Sequence, residues 1–355
     1  MRATDPPTDP LGLRARTRRH TAVLLALGAA ALLSALVAIA AGAVAVPPGT
    51  VLRILLHALG GAPGAGSWAP EQEAIVWTVR TPRVLLGCAV GAGLAVCGAA
   101  LQAVVRNVLA DPYVLGIDSG ASCGAAAALL FGALAGAGEH ALPLSAFAGA
   151  LAATVAVFAV ARAGGRLTSL RLLLAGVAVG YALSAATSFL VFASDSAEGA
   201  RSVVFWLLGS LGLARWGPAL AVVLVVVAAT LALLLLWAPR LDALAVGDET
   251  ARALGVSPSG LRTRLLVVVA ACVGVVVAAS GSIGFVGLVV PHLARRLVGA
   301  AHRWVLPACA LLGAVLLTWS DLVARVLLQP QELPIGIVTA LVGAPFLLHL
   351  VRSAP

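Results

Sequence analysis

Arginine is the only cationic side chain other than His in this protein: its 23 Lys-plus-Arg residues are all Arg. A Schiff-base amine and the lysine of a G-x-x-x-x-G-K-[ST] phosphate loop therefore have no residue to supply them. The other reactive groups are sparse. The 14 acids and six His form no H-E-x-x-H, H-x-x-x-H or D-D-x-x-D pattern. The five cysteines, Cys88, Cys97, Cys123, Cys272 and Cys309, lie in apolar runs without C-x-x-C spacing, which reads as small core residues. No catalytic residue and no metal ligand is assigned. What remains is recognition chemistry, in which charge meets charge across an interface.

Arg80-Thr81-Pro82-Arg83 sets two guanidinium groups around a Pro suited to the first turn of a helix. Two readings stand: recognition of carboxylates on a partner, and anchoring in lipid headgroups. Asp321 and Arg325, four residues apart, can pair along one helix face. Asp111 is placed to cap a helix that Pro112 opens, whereas Asp118 lies deeper, where it reads as a locally satisfied polar residue or as one facing an aqueous path or a neighbouring helix. In segment 240–258, Leu241, Leu244 and Ala245 share one helical stripe and Ala251, Leu254 and Gly255 another, with Gly247 as a hinge. Two short amphipathic helices there would offer a soluble partner a docking surface; a plain interfacial loop is the competing reading.

The elements that must position these residues follow from composition. The chain is 61% hydrophobic and 10% charged, against ~25% charge in ordinary soluble domains. Disordered, collagen-like and disulfide-stapled chains are excluded by the same figures, which leaves an all-α polytopic membrane protein. A crossing needs about 20 apolar residues. Ten runs qualify: 21–46, 82–105, 112–137, 141–161, 172–193, 218–237, 265–280, 283–298, 305–328 and 335–351. With both termini cytoplasmic, 17 Arg fall inside and six outside, as the positive-inside rule requires. Residues 1–20 read as a disordered basic cytoplasmic tail and 21–355 as one transmembrane domain, with a cytoplasmic loop at 239–260. The apolar stretch at 21–46 exceeds the ~7–15 residues of a signal peptide, so it reads as a retained helix. Small-residue pairs four apart, such as Gly87 with Gly91 and Gly120 with Gly124, predict close helix packing. No acid sits at a span centre. An ion-coupled secondary transporter, the alternative function, would have to rely on Asp118 or Asp321.

In order and spacing, these segments resemble the permease family of ATP-binding-cassette importers for ferric siderophores, haem and vitamin B12. The strings G-F-V-G-L-V-V-P-H-L-A-R-R at 284–296 and E-L-P-I-G-I-V-T-A-L-V-G-A-P-F at 332–346 carry the likeness most specifically. The resemblance implies a multi-pass protein of the bacterial cell membrane that pairs with a second permease copy, or a related one, around a central pathway. It further implies two separate ATPase subunits that use ATP, an extracytoplasmic substrate-binding protein, surrounding lipid, no directly bound cofactor and no nucleic acid. By the same resemblance Arg80, Arg83 and Arg325 accept acidic side chains of the binding protein. Leu244, Gly247, Asp248, Glu249, Ala251, Arg252, Leu254 and Gly255 contact the ATPase, and the outer stretch 194–213, with Ser194, Gly199, Gly209 and Gly212, forms a gate. Two positions depart from the pattern: Val108 stands where Pro is common, and Asp118 where Ser is usual.

Overall fold

A computed structural model describes residues 13–42, 44–60, 68–163 and 168–353 of the chain. Every described regular element is helical. They are α1 (Leu13–Ala40), α2 (Pro48–Gly60), α3 (Pro70–Val105), α4 (Ile117–Phe131), α5 (Ala141–Ala163), α6 (Ser169–Phe192) and α7 (Ala197–Leu207). There follow α8 (Pro218–Leu236), α9 (Ala238–Val246), α10 (Asp248–Ala253), α11 (Pro258–Ser280), α12 (Val286–Val298), α13 (His302–Val326) and α14 (Ile335–Ser353). Each of the ten apolar runs contains a helix, and seven helices are long and apolar enough to cross a membrane by length and composition. Local chemistry sets the boundaries. Thr168, Ser196 and Ser257 accept bonds from the Arg171, Gly199 and Gly260 amides at the starts of α6, α7 and α11.

Three boundaries differ from the sequence reading. Residues 13–20, expected as tail, are already helical; once the apolar part of α1 is nucleated, each added residue gains a hydrogen bond at little cost. Residues 1–12 lie outside the described residues. Pro82 lies in the first turn of the α-helical part Thr81–Val105, as expected, but the helix as a whole starts earlier. α3 begins at Pro70, and the π-helical stretch Ala74–Arg80 precedes Pro82, a local rearrangement that accommodates the amide proline lacks. The run at 112–137 is interrupted. Asp111 Oδ1 caps the Tyr113 amide at 2.9 Å as expected, but the turn Pro112–Leu115 stops at Gly116, whose φ of +70° favours a residue without Cβ, and α4 starts afresh at Ile117.

α3 is the central post: 83% of its most apolar window is buried, against 17% for α1 and for α6. It packs on α13, α12, α11 and α8. On α13 the backbones meet at Gly91 and Gly313, where a Cβ on either residue would lie 2.6–2.7 Å from the carbonyl carbon of the other. Gly120 and Gly149 make the corresponding contact between α4 and α5. Small residues thus do in this bundle what hydrophobic burial does in water.

Candidate functional site

At the end of the bundle carrying α2 and α7, the three outward-assigned arginines are turned inward, contrary to the expectation that they stand ready for a partner. Arg80 donates to the carbonyls of Ile39 (3.0 Å), Ala40 (2.8 Å) and Val44 (2.5 Å). Arg325 donates to Ala38 (3.0 Å) and Ala41 (3.2 Å), and its Nε to Asp321 Oδ2 at 2.9 Å. The final carbonyls of α1 have no partner within their own helix and carry the negative end of its dipole, so two guanidinium groups from other helices cap it. Arg83 completes the network: its Nε meets Asp321 Oδ1 at 2.9 Å and its fork clasps Glu332 at 3.1 and 2.9 Å. All three arginines and Asp321 are buried, whereas the Glu332 side chain is 51% exposed. The predicted i,i+4 pair of Asp321 and Arg325 is present. Arg83 and Glu332, far apart in sequence, join it only through the fold.

At the opposite end, α9 and α10 form the two short helices expected in the loop, but half of the assigned contact residues face the protein. Leu241, Leu244 and Ala251 are fully buried, because an amphipathic stripe beside a bundle is worth more packed onto it than left in water. Asp248 is also engaged internally. It takes a bidentate contact from Arg262 at 2.9 and 2.7 Å and lies 3.4 Å from Arg106, whose φ of 56° closes α3. Glu249, Arg252, Leu254 and Gly255 are exposed, and Gly247 is half-buried at the hinge. Val246, absent from the sequence assignment, is 74% exposed, as is Leu254 at 67%; an apolar residue immediately before a helix-breaking Gly was the available signal. Asp242 is the second tie. Its Oδ1 accepts the His302 backbone amide at 2.9 Å and lies 2.6 Å from His302 Nδ1, at the start of α13.

Two carboxylates at this end are held below their ordinary range. For Asp248 the hydrogen bond from Arg262 is the main cause, opposed by partial burial and reinforced by the charges of Arg262, Arg106 and Arg252. For Asp242 burial works to raise the value, but bonds from the His302 ring and amide and the charges of His302 and Arg303 outweigh it. A lowered folded-state pKa means that the stabilisation is complete above the unfolded value, about 4 for Asp, and is lost as pH falls through the folded value. Hydrogen exchange across residues 247–262 is therefore expected to stay slow at neutral pH and rise only in acid. In Asp248→Asn it should already be severalfold faster at pH 7; equal protection in the variant would mean that the Arg262 contact does not brace the loop.

The segment 194–213, expected as a gate, contains the short helix α7. Ser196 caps α7, which opens with Glu198 near its positive dipole end, and the helix closes at Leu208 and Gly209. Beyond it the chain is pinned. Gly209 O and Leu208 O accept the Ile335 and Gly336 amides at 3.2 and 2.9 Å, and the Ser210 amide donates to Ser280 O at 2.8 Å. Ser194 and Gly199 lie at the freer N-terminal end of this segment, and Gly212 lies beside the Arg83–Glu332 pair.

Two further polar features occupy the interior. Gln102 Nε2 is shared among the carbonyls of Ala110, Gly287 and Leu288 at 3.3–3.5 Å, while its Oε1 accepts from Arg295 at 2.6 Å, tying the turn after α3 to both ends of α12. Asp118 keeps its Oδ1 buried without a partner among the described residues. Among those residues no group of three or more His, Cys, Asp and Glu could hold a metal ion.

The comparisons with known proteins agree with this architecture. The family described as the FecCD transport family matches residues 30–353. The cobalamin import system permease protein BtuC of Halobacterium salinarum is 41% identical over 324 residues, covering 87% of this chain and 86% of that protein. The hemin transport system permease protein HmuU of Yersinia pestis is 43% identical over 80% of this chain and 86% of its own. The Fe(3+)-citrate import system permease protein YfmD of Bacillus subtilis is 39% identical over 80% and 83%. A solved metal-chelate type ABC transporter in an inward-facing conformation superposes with a TM-score of 0.81 at 33% identity, covering 94% of this chain and all of that one. An all-helical bundle with apolar spans, two short helices at one end and an arginine-capped first span at the other, matched over nearly its whole length, is a membrane permease, and the chain belongs to the FecCD transport family.

Proposed function

We propose that this permease is the membrane subunit of an ATP-driven importer for a large chelate or cofactor of the ferric-siderophore, haem or cobalamin kind. In this reading a separate ATPase pair docks on α9 and α10, a second permease copy completes the pathway, and a binding protein delivers cargo to the opposite face. The observation that carries it is the exposure of Val246, Glu249, Arg252 and Leu254 on two short helices tied to the bundle through Asp248 and Asp242. Exposed apolar residues together with both signs of charge fit a protein interface better than a lipid or water boundary. The 17-to-six division of Arg supports a cytoplasmic position for those helices. Without a lysine for a phosphate loop, the chain depends on its partner for nucleotide chemistry.

Docking of the binding protein is proposed to proceed by exchange. Arg83 is occupied by Glu332, and an incoming carboxylate would take over the fork as Glu332, half in water already, swings away. Glu332→Gln should then tighten binding-protein docking severalfold and Arg83→Glu abolish it; unchanged affinity in both would move docking off this network.

The test of the whole reading is uptake into proteoliposomes holding the permease with its ATPase, supplied with binding protein and a panel of ferric citrate, haemin and cobalamin. ATP-dependent accumulation of one of them is expected. The ion-coupled alternative loses one of its two acids, since Asp321 is consumed by two arginines. It retains Asp118, whose Oδ1 is unpartnered. Uptake without ATPase that follows a proton gradient and disappears in Asp118→Asn would establish that alternative.

A further inference from the structure

We infer that α13 is the rod that carries motion from the ATPase-facing helices to the outer end of the bundle, and that Asp242 with His302 is its joint. The inference rests on the importer reading above and adds a route that reading does not specify. α13 runs continuously over 25 residues, with Pro307 in its second turn, and spans about 37 Å at 1.5 Å per residue, long enough to reach from face to face. Its first residue is held by α9. Asp242 Oδ1 caps the His302 backbone amide and takes the ring Nδ1, so a single carboxylate grips both the backbone and the side chain of the residue that opens the rod. The opposite end is clamped as firmly. Asp321 lies between Arg83 of α3 and Arg325, and Arg325 holds the last carbonyls of α1.

Along its length α13 is braced to α1, which runs parallel to it. The His20 and Trp304 rings stack edge-on with centroids 5.3 Å apart near the start, and Trp319 Nε1 donates to Ser34 at 3.0 Å further on. Packed helices of this kind respond to a push by moving as bodies and not by bending. A displacement of α9 must therefore either break the Asp242 contact or carry α13, and with it the arginine network that borders Gly212 in the segment 194–213. The His302 ring suits a fixed joint. Its Nδ1 lies 2.6 Å from Asp242 Oδ1, and its Nε2 is buried with no partner among the described residues, so the one polar tie of the ring runs to α9.

The experiment uses the complete importer in proteoliposomes and reads cargo moved per ATP hydrolysed. Asp242→Ala, which removes both contacts, should lower that ratio about tenfold while hydrolysis by the assembled complex continues, the effect of losing a charge-assisted bond at the joint. His302→Leu, which keeps the backbone cap, should fall between it and wild type, and His302→Asn, whose amide can donate from the place of Nδ1, should recover most of the coupling. Spin labels at the exposed Val326 on α13 and Val204 on α7 report the outer end against the segment 194–213; their nucleotide-dependent distance change should vanish in Asp242→Ala. A normal ratio in Asp242→Ala, equal ratios in His302→Leu and His302→Asn, or a parallel loss of hydrolysis and uptake with the ATPase shed from the complex would each overturn the joint. Failure of the importer reading looks different, because there the wild-type complex itself shows no ATP-driven uptake.

Discussion

Replacing Asp321 with Ala is expected to destabilise the permease by about 3–5 kcal/mol, seen as a large drop in its thermal unfolding midpoint in detergent and in its yield as a monodisperse species. Asp321 is the only carboxylate in direct contact with the Arg325 guanidinium among the described residues, and it shares Arg83 with the half-exposed Glu332. Its two oxygens each take one Nε–H at 2.9 Å, in a setting where water cannot easily substitute. Removing it leaves two buried like charges facing one another, and the cost is that of uncompensated charge and not merely of two lost bonds. Asp321→Asn should also be strongly destabilising, since an amide keeps one acceptor but neutralises nothing. Glu332→Gln provides the contrast: its partner is the same Arg83, yet the Glu332 side chain is largely in solvent, so the loss should be about 0–1 kcal/mol. If Asp321→Ala behaved like Glu332→Gln, the network would be a surface feature and α1 would have to be capped by other means.

The second large effect is expected at the α3–α13 contact. Gly91→Leu or Gly313→Leu should each cost about 1–3 kcal/mol or more and separate the two helices, because the atom that a side chain would strike is the facing backbone carbonyl, which cannot rotate away. Even Gly313→Ala should be felt, as its Cβ would also approach Ala95 Cβ to 2.9 Å. A pair of cysteines on neighbouring turns of α3 and α13 would test the separation by crosslinking, with slower crosslinking expected in the substituted proteins. The double variant Gly91→Ala, Gly313→Ala should be less harmful than the sum of the singles, since both perturb one contact. Additive losses would indicate that the helices meet elsewhere.

Much of the framework is legible without coordinates because the membrane restricts what a sequence can do. Lipid accepts no unpaired backbone groups, so each apolar run of sufficient length is a helix, and ten runs read from hydropathy correspond to ten helices. Prolines and caps are local in their effect, which is why Asp111 and the Asp321–Arg325 pair were correctly anticipated. Pro82 does sit in the first turn of the α-helical part Thr81–Val105, yet it does not mark where the whole helix begins. A proline marks a helix start only when no alternative hydrogen-bond pattern precedes it, and the π-helical stretch before it supplies one.

The site residues divide differently. Residue type showed that Arg80, Arg83 and Arg325 were unusual for the outer face, but which way each points is decided by partners 36 to 287 residues away in sequence. Arg106 and Arg262 entered the sequence reading only as inside charges, and Glu332 only as part of a string; each acquires a role from the carboxylate or guanidinium that the fold brings to it. Likewise the stripe Leu241 and Leu244 was recognised as apolar and helical, yet whether it met the bundle or a partner could not be read from its period, since both surfaces reward the same pattern.

The permease family entered only as a resemblance carried by two long strings; by itself, the amino-acid sequence determined an all-helical membrane protein with no lysine chemistry. Those properties depend on composition and on interactions within a few turns of helix. Tertiary structure alone decided which charges are free to meet partners and which are locked inside. A buried guanidinium must find its counter-charge or carbonyls wherever the packed helices present them, and that depends on distance in space, which sequence separation does not encode.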